Sequence, residues 1–386
     1  MDNQCYTALH AAVLVDDRHA VETILSRFDI DLNTRLHNGK TIIYAAAMDN
    51  RVDLVRILLS KGGDRVVNDV GEALVLAAEK GYHEVIHALM GATIRKISCI
   101  TALQVAADKG HYDAVKALLA CGVDPNCTTY FNETPLYSAA KNGRLDIVEM
   151  LVSSGSTYNT DDRNRPSPLQ AAVERGHLDI VKFLANAFGL VGNDLVASAA
   201  YRSHLHVLKY LIERDMDVNA HNTYNESPLY CAVRTGDMEA VRLLVESGAR
   251  VDNPQGMFEN RPVHAAVRQP KIDVLKYFVE QCGVDIHVVC VDGKTPLHHA
   301  TLIERPTSVA YLVDRGGKAL CDVQDRSGET ALHIALDRRY LESAKILARH
   351  TDVTLADNNG RTLLTTARNN RLRDVELILL ARGAQQ

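Results

Sequence analysis

The sequence predicts an all-α solenoid of stacked helix-turn-helix units joined by projecting β-hairpin loops. Three observations carry that expectation. A short segment opening on Thr, Ser or a substitute recurs near positions 7, 41, 72, 101, 134, 167, 194, 227, 261, 295, 330 and 362, in steps of 27 to 35 residues. A fixed period in this range marks a repeat architecture, and missing it would misread the whole fold. Aromatic residues are only 5% of the chain and Trp is absent, while Ala, Leu, Ile and Val supply most of the apolar content. A globule of 386 residues normally builds part of its core from large rings. Thin repeated layers can be filled with Ala and Leu instead. Finally, Gly and Pro punctuate the copies at fixed offsets.

Each part of the unit has a local reason. The clearest copies open as Thr134-Pro-Leu-Tyr-Ser-Ala-Ala140, Ser167-Pro-Leu-Gln-Ala-Ala-Val173, Ser227-Pro-Leu-Tyr-Cys-Ala-Val233 and Thr295-Pro-Leu-His-His-Ala300. The Thr or Ser hydroxyl caps the free N–H groups of a first helix. Pro fits the first helical position, where no N–H is required. Small residues after the Leu let neighbouring units approach closely. Nine residues after the Thr site stands Gly143, Gly176 or Gly236, which ends the helix in a left-handed turn. A second helix such as Leu145-Asp-Ile-Val-Glu-Met-Leu-Val152 follows, with apolar residues at helical spacing. Gly122-Val-Asp-Pro-Asn126 then turns the chain out into a hairpin.

A period near 33 carrying Thr-Pro-Leu-His-x-Ala resembles the ankyrin-repeat family, and the resemblance covers nearly the whole chain. It implies one domain over residues 1–386, stabilised by stacking of each unit on its neighbours. At roughly 10 Å per layer, about one helix diameter, the stack would be a curved rod of order 120 Å with a long concave surface. The resemblance also implies that partners bind through hairpin tips and the exposed face of the first helices. It assigns His10, His264, His298 and His333 to tying the turn together by hydrogen bonds. Tyr44, Tyr137 and Tyr230 occupy the same position in other copies, an exchange that a catalytic base would not tolerate. Some units depart from the pattern. The steps into Thr101 and Asp194 are too short for a full hairpin, so altered loops are expected there, with the weakest part of the stack at 187–194. Asn132 and Asn225 replace the hairpin Gly and tolerate a left-handed backbone; Glu259 and Arg165 do so less readily.

A formal charge of -5 gives no general attraction for nucleic acid or anionic membrane, so direct nucleic-acid binding is not expected. No apolar run approaches the roughly 18–20 residues that span a bilayer, and Met1 to His10 lacks the apolar core of a signal peptide. The eight cysteines form no Cys-x-x-Cys pair and read as reduced thiols. A cytoplasmic location is therefore expected, with the nucleus as a second compartment. Repeats begin at Thr7 and the last helix ends near Arg382, so no appended domain is expected.

Two segments imitate catalytic motifs. His83-Glu-Val-Ile-His87 fits the zinc-hydrolase pattern in which two His one turn apart bind metal. It falls where other repeats have Leu145-Asp-Ile-Val-Glu149, so Val85 and Ile86 belong to a stacking helix, and a zinc hydrolase through His83, Glu84 and His87 is disfavoured. Gly39-Lys-Thr41 and Gly293-Lys-Thr295 echo a phosphate loop, but the Gly required upstream is replaced by Thr34 and Val288. No enzyme, no cofactor, no metal and no small-molecule substrate are expected.

Two columns stand out as a partner-binding surface in repeats five to ten. Hairpin tips carry Phe131, Tyr224 and Phe258, with Tyr130 and Met257 beside two of them; several apolar side chains in one register mark a contact surface. Seven and eight residues after the Thr site, the first helices carry Lys141, Arg175, Tyr201, Arg202, Arg234 and Arg268, set against one carboxylate, Glu174. Leu302 and Ile303 continue the column as an apolar pair. The expected partner is a protein, with an acidic segment containing apolar residues as the matching ligand. The reading is a non-enzymatic interaction or scaffold module. Its rivals are a transcriptional coregulator, which no basic import run supports, and an adaptor or effector recruiting a client to a modifying enzyme.

Overall fold

The computed structural model describes residues 2–35, 39–62, 69–92, 96–157, 166–192, 194–256 and 259–385. Among these residues it is an all-α repeat protein of 24 helices, two per repeat. The chain divides into two compact units, Met1–Gly192 and Asn193–Gln386, each holding six repeats. In the first unit the pairs are α1 (Asp2–Leu14) and α2 (Arg18–Arg27), α3 (Ile42–Met48) and α4 (Val52–Gly62), α5 (Val70–Lys80) and α6 (His83–Leu89). They continue as α7 (Lys96–Lys109) and α8 (Tyr112–Ala120), α9 (Pro135–Lys141) and α10 (Leu145–Ser153), α11 (Pro168–Arg175) and α12 (Leu178–Phe188). In the second unit they are α13 (Leu195–Tyr201) and α14 (Leu205–Glu213), α15 (Pro228–Thr235) and α16 (Met238–Glu246), α17 (Pro262–Ala266) and α18 (Asp273–Glu280). The last are α19 (Pro296–Leu302) and α20 (Pro306–Cys321), α21 (Ala331–Arg338) and α22 (Leu341–Leu347), α23 (Leu363–Asn369) and α24 (Arg373–Ala381).

Within each unit the first helices stack on one another, as do most of the second helices. The interfaces are as the small residues dictate. Ala46, Ala77, Ala107, Ala139 and Ala172 are fully buried in the first unit, and Ala200, Ala232 and Ala335 in the second. Second helices add branched side chains such as Ile147, Val148 and Leu151. The hydroxyl caps form: Thr134 Oγ1 accepts from Tyr137 N at 3.1 Å, and Ser167 Oγ from Gln170 N at 3.1 Å.

Several of the described loops are hairpins only one turn deep. Thr129 N donates to Glu133 O, Asn222 N to Glu226 O, Cys290 N to Lys294 O and Asp325 N to Glu329 O, while the described strand pairing is confined to isolated bridges such as Arg35 with Thr41. Asn132, Asn225 and also Glu259 are left-handed there, at φ 63°, 58° and 51°. Glu259 thus adopts the conformation that its side chain disfavours, because the tight turn leaves no alternative. Before the hairpin, Asp124 Oδ1 accepts from Asn126 N, and Asn126 reaches the next repeat, donating to Gly155 O at 2.9 Å and accepting from Thr157 N at 2.8 Å. Asn219 makes the same pair of bonds to Gly248 O and Arg250 N.

A left-handed residue ends the first helix in every repeat but the ninth, including Asp16, Asn50, Ser203, Glu304, Arg339 and Arg371 where Gly is lacking. In the ninth repeat Pro270 holds that place and cannot take positive φ. The first helix there, α17, is correspondingly short, with five residues.

The two short steps resolve differently. Before Thr101 the hairpin is replaced by helix: α7 has 14 residues and starts at Lys96, where a loop was expected. At the second, α12 runs to Phe188 and stops at Gly189, φ 83°. Among the described residues, Leu190, Val191 and Gly192 donate no backbone hydrogen bond, and Val191 is exposed. Among the described residues, amide exchange is expected to be fastest, and limited proteolysis to cut first, at 190–192; uniform protection through residues 178–211 would contradict this.

Candidate partner-binding surface

The first unit carries its part of the surface on one hairpin and two helix ends. Tyr130 and Phe131 stand at the tip at 97% and 77% exposure, packed edge to face on each other with centroids 5.7 Å apart. They do not fold back into the stack, because the bond from Thr129 N to Glu133 O closes the turn beneath them. Lys141 is half-buried at the end of α9, its ammonium 5.5 Å from the centre of the Tyr137 ring, and Arg175 is exposed at the end of α11.

In the second unit, α13 ends on Tyr201, which is 44% exposed. Two guanidinium groups stand over its ring, Arg202 at 5.6 Å from the ring centre and Arg234 from the next repeat at 5.4 Å. Such cation–π contacts hold an exposed ring in place without burying it. Arg234 is not a free cation: it donates to Glu226, a carboxylate with only 16% of its side chain exposed. Sequence spacing missed this because Glu226 lies one residue before the Ser227 cap and reaches back over α15. Arg202 and Arg268 stay exposed. Tyr224 is 77% exposed on the hairpin whose turn is fixed by Asn222 Oδ1, which accepts from Tyr224 N and Glu226 N at 2.9 Å each. Leu302 and Ile303 are only half-buried, so each adds part of its side chain to the surface. Met257 and Phe258 lie outside the described residues.

Burial and the Glu226 carboxylate push the Cys231 thiol up to about 12, leaving a neutral packing group on the buried face of α15. In the His83–His87 segment Val85 and Ile86 are fully buried, while His83, Glu84 and His87 sit exposed on the surface of α6. His87 Nδ1 lies 3.8 Å from Cys121 Sγ. Among the described residues no three His, Cys, Asp or Glu side chains are grouped to hold a metal ion. No helix there is long and apolar enough to cross a membrane.

The recurrent His does more than tie its own turn. His298 Nδ1 accepts from Thr295 N at 3.2 Å, and its Nε2 donates to Glu329 O of the following repeat at 3.1 Å. His264 bonds Arg261 N and Lys294 O, and His333 bonds Thr330 N and Arg361 O, in the same way.

Family models described as ankyrin repeats match residues 2–98, 103–195 and 317–386, and again 196–245 and 263–313. The chain belongs to the ankyrin-repeat family. It is similar to a transient receptor potential cation channel, subfamily A member 1, of Drosophila melanogaster, at 31% identity over 35% of this chain and 11% of that one. It is 28% identical to an ankyrin repeat protein of fowlpox virus, FPV031, over 41% of this chain and 48% of that one. These matches span less than half the length of either relative. Among solved structures, an ankyrin repeat domain from Acinetobacter baumannii aligns with 50% of this chain and all of its own, at 24% identity and a TM-score of 0.46. Repeats of this family are generally protein–protein interaction modules.

Proposed function

We propose that the protein is a non-enzymatic interaction module whose second unit binds an acidic protein segment with interspersed apolar residues. The observation that carries this reading is the exposed Tyr201 ring contacted by the guanidinium groups of Arg202 and Arg234, with Arg268 exposed one repeat beyond Arg234. Aromatic and Arg side chains are the types enriched at binding hot spots, and guanidinium pairs with carboxylate in two parallel bonds. Arg202 and Arg268 supply the free charge, while Arg234, already offset by Glu226, serves to position the ring. Tyr130, Phe131, Lys141 and Arg175 offer the same chemistry separately on the first unit. The nearest tests use a fluorescein-labelled peptide alternating Glu and Leu, titrated by anisotropy. Arg268→Glu is expected to weaken binding by about 1–2 kcal/mol and to slow association, more so at low salt. Tyr201→Ala is expected to act mainly on dissociation, by about the same amount. Both residues are exposed, so circular dichroism should be unchanged. Undiminished binding by both folded variants would sink the reading.

A further inference from the structure

The first unit holds a second surface of opposite preference, created by the replacement of a hairpin by helix before Thr101. With α7 extended back to Lys96, its first turn sits against the start of α5. Gly71 permits this approach, since a Cβ there would collide with Ser98 Oγ. The extension leaves a groove of about 290 Å³ between α3, α5 and α7. Its walls are Tyr44, Val75, Leu76 and Ile97, the last 60% exposed. One exposed Ile needs no explanation; an exposed Ile facing two half-buried aliphatic side chains and a ring across an open groove is a contact surface.

The charged side chains that line this floor are the carboxylates of Glu72 and Glu79. Glu72 and Glu79 lie seven residues apart on α5, about 10 Å along the helix axis, with Val75 and Leu76 between them on the same face. Glu72 is paired with Lys40, whose ammonium also lies 4.9 Å from the centre of the Tyr44 ring, yet its side chain remains 59% exposed. The Glu79 side chain is exposed, and its backbone carbonyl accepts from His111 Nε2 of the next repeat, which fixes the end of α5. The groove is near the lower limit for pockets that enclose a small molecule, about 300 Å³. It suits the anchor side chains of a peptide better than a whole cofactor.

We propose that this groove binds a short protein segment in which an Arg or Lys pairs with Glu79 and a neighbouring aliphatic side chain fills the space between Tyr44, Val75, Leu76 and Ile97. The partner is thus basic and apolar, the reverse of the acidic segment assigned to the second unit, and the site uses none of that unit's residues.

The probe is a fluorescein-labelled peptide Arg-Ser-Leu-Leu-Ser-Arg-Gly, titrated against the full chain by anisotropy. Two companions replace both Arg by Glu or both Leu by Ser. The parent peptide should bind, and each companion should bind at least about tenfold more weakly, because charge and apolar anchor both contribute. Glu79→Lys and Ile97→Ser alter exposed side chains, leave circular dichroism unchanged, and should each weaken the parent peptide by about tenfold. Arg268→Glu should leave it unaffected. Absent binding, equal binding of all three peptides, indifference to both variants, or sensitivity to Arg268→Glu would each overturn the assignment.

Discussion

Lowering the pH from 7 to 5 is expected to destabilise the second unit by several kcal/mol. Three imidazoles carry the effect. Burial holds His264 and His298 down at about 4, and burial with the neighbouring His264 ring 5.1 Å away holds His299 at about 3, all below the ordinary value of 6.5. His333 is shifted in the same direction by burial. Between 6.5 and 4 these groups stay neutral in the folded chain and take up protons in the unfolded one. The unfolded state then binds more protons, so stability rises with pH through this window and is fully present only above 6.5. Each group contributes up to about 1.4 kcal/mol per pH unit. Three together give on the order of 6 kcal/mol between pH 6.5 and 5. Urea denaturation followed at pH 7, 6 and 5 should show the midpoint falling steadily. His298→Tyr, the residue that repeats two, five and eight use at this position, should flatten the curve. A midpoint independent of pH over this range would contradict the neutral assignment. Asp325 and Asp357, held below the usual carboxylate range by bonds from Lys294 and backbone N–H groups and by Arg361 respectively, add their loss only at still lower pH.

Replacing Ala139 by Arg is expected to cost about 3 kcal/mol or more, through overpacking and an unpaired buried charge. Ala139 is fully buried in α9, which packs on both α7 and α11, so an added side chain has neither room nor a route to water. Glu149→Gln, on an exposed position of α10, should change stability by less than about 0.5 kcal/mol. Urea midpoints of the two variants decide the matter; equal shifts would contradict close packing of the small-residue layers.

The repeat boundaries were legible because helix caps, Pro and turn residues act locally, and the copies repeat that local chemistry. Thr134, Ser167, Ser227 and Thr295 cap the helices that their spacing announces. Less could be read where the outcome depends on neighbours in space. Short spacing before Thr101 announced an altered loop, but not that Lys96-Ile-Ser-Cys-Ile100 would turn into helix, since this segment lacks both Gly and Pro and Gly71 on another helix makes the room. Counting cations along a column could not reveal that Arg234 is already paired, because Glu226 approaches from across a helix cap. Gly143, Gly176 and Gly236 announce the end of their first helices, whereas Ser203, Glu304 and Arg339 adopt the same left-handed turn with no such residue to announce it.

The acceptors that receive the recurrent His have a consequence for how such a chain can change its length. Lys294, Glu329 and Arg361 each offer only a backbone carbonyl, and each stands one residue before the next Thr site. Asn126 and Asn219 likewise bond backbone groups of the repeat that follows, the Thr157 hydroxyl adding one side-chain donor to Asn126. A peptide group looks the same whichever side chain it bears. The couplings therefore impose a register but no identity on the receiving side. Insertion, loss or duplication of a whole period during evolution re-forms the backbone bonds at the new junction, with no compensating substitution. A cut out of register breaks them at once. Side chains at the tips and along the first helices are released from this duty and can diversify repeat by repeat while the frame is conserved by its own main chain.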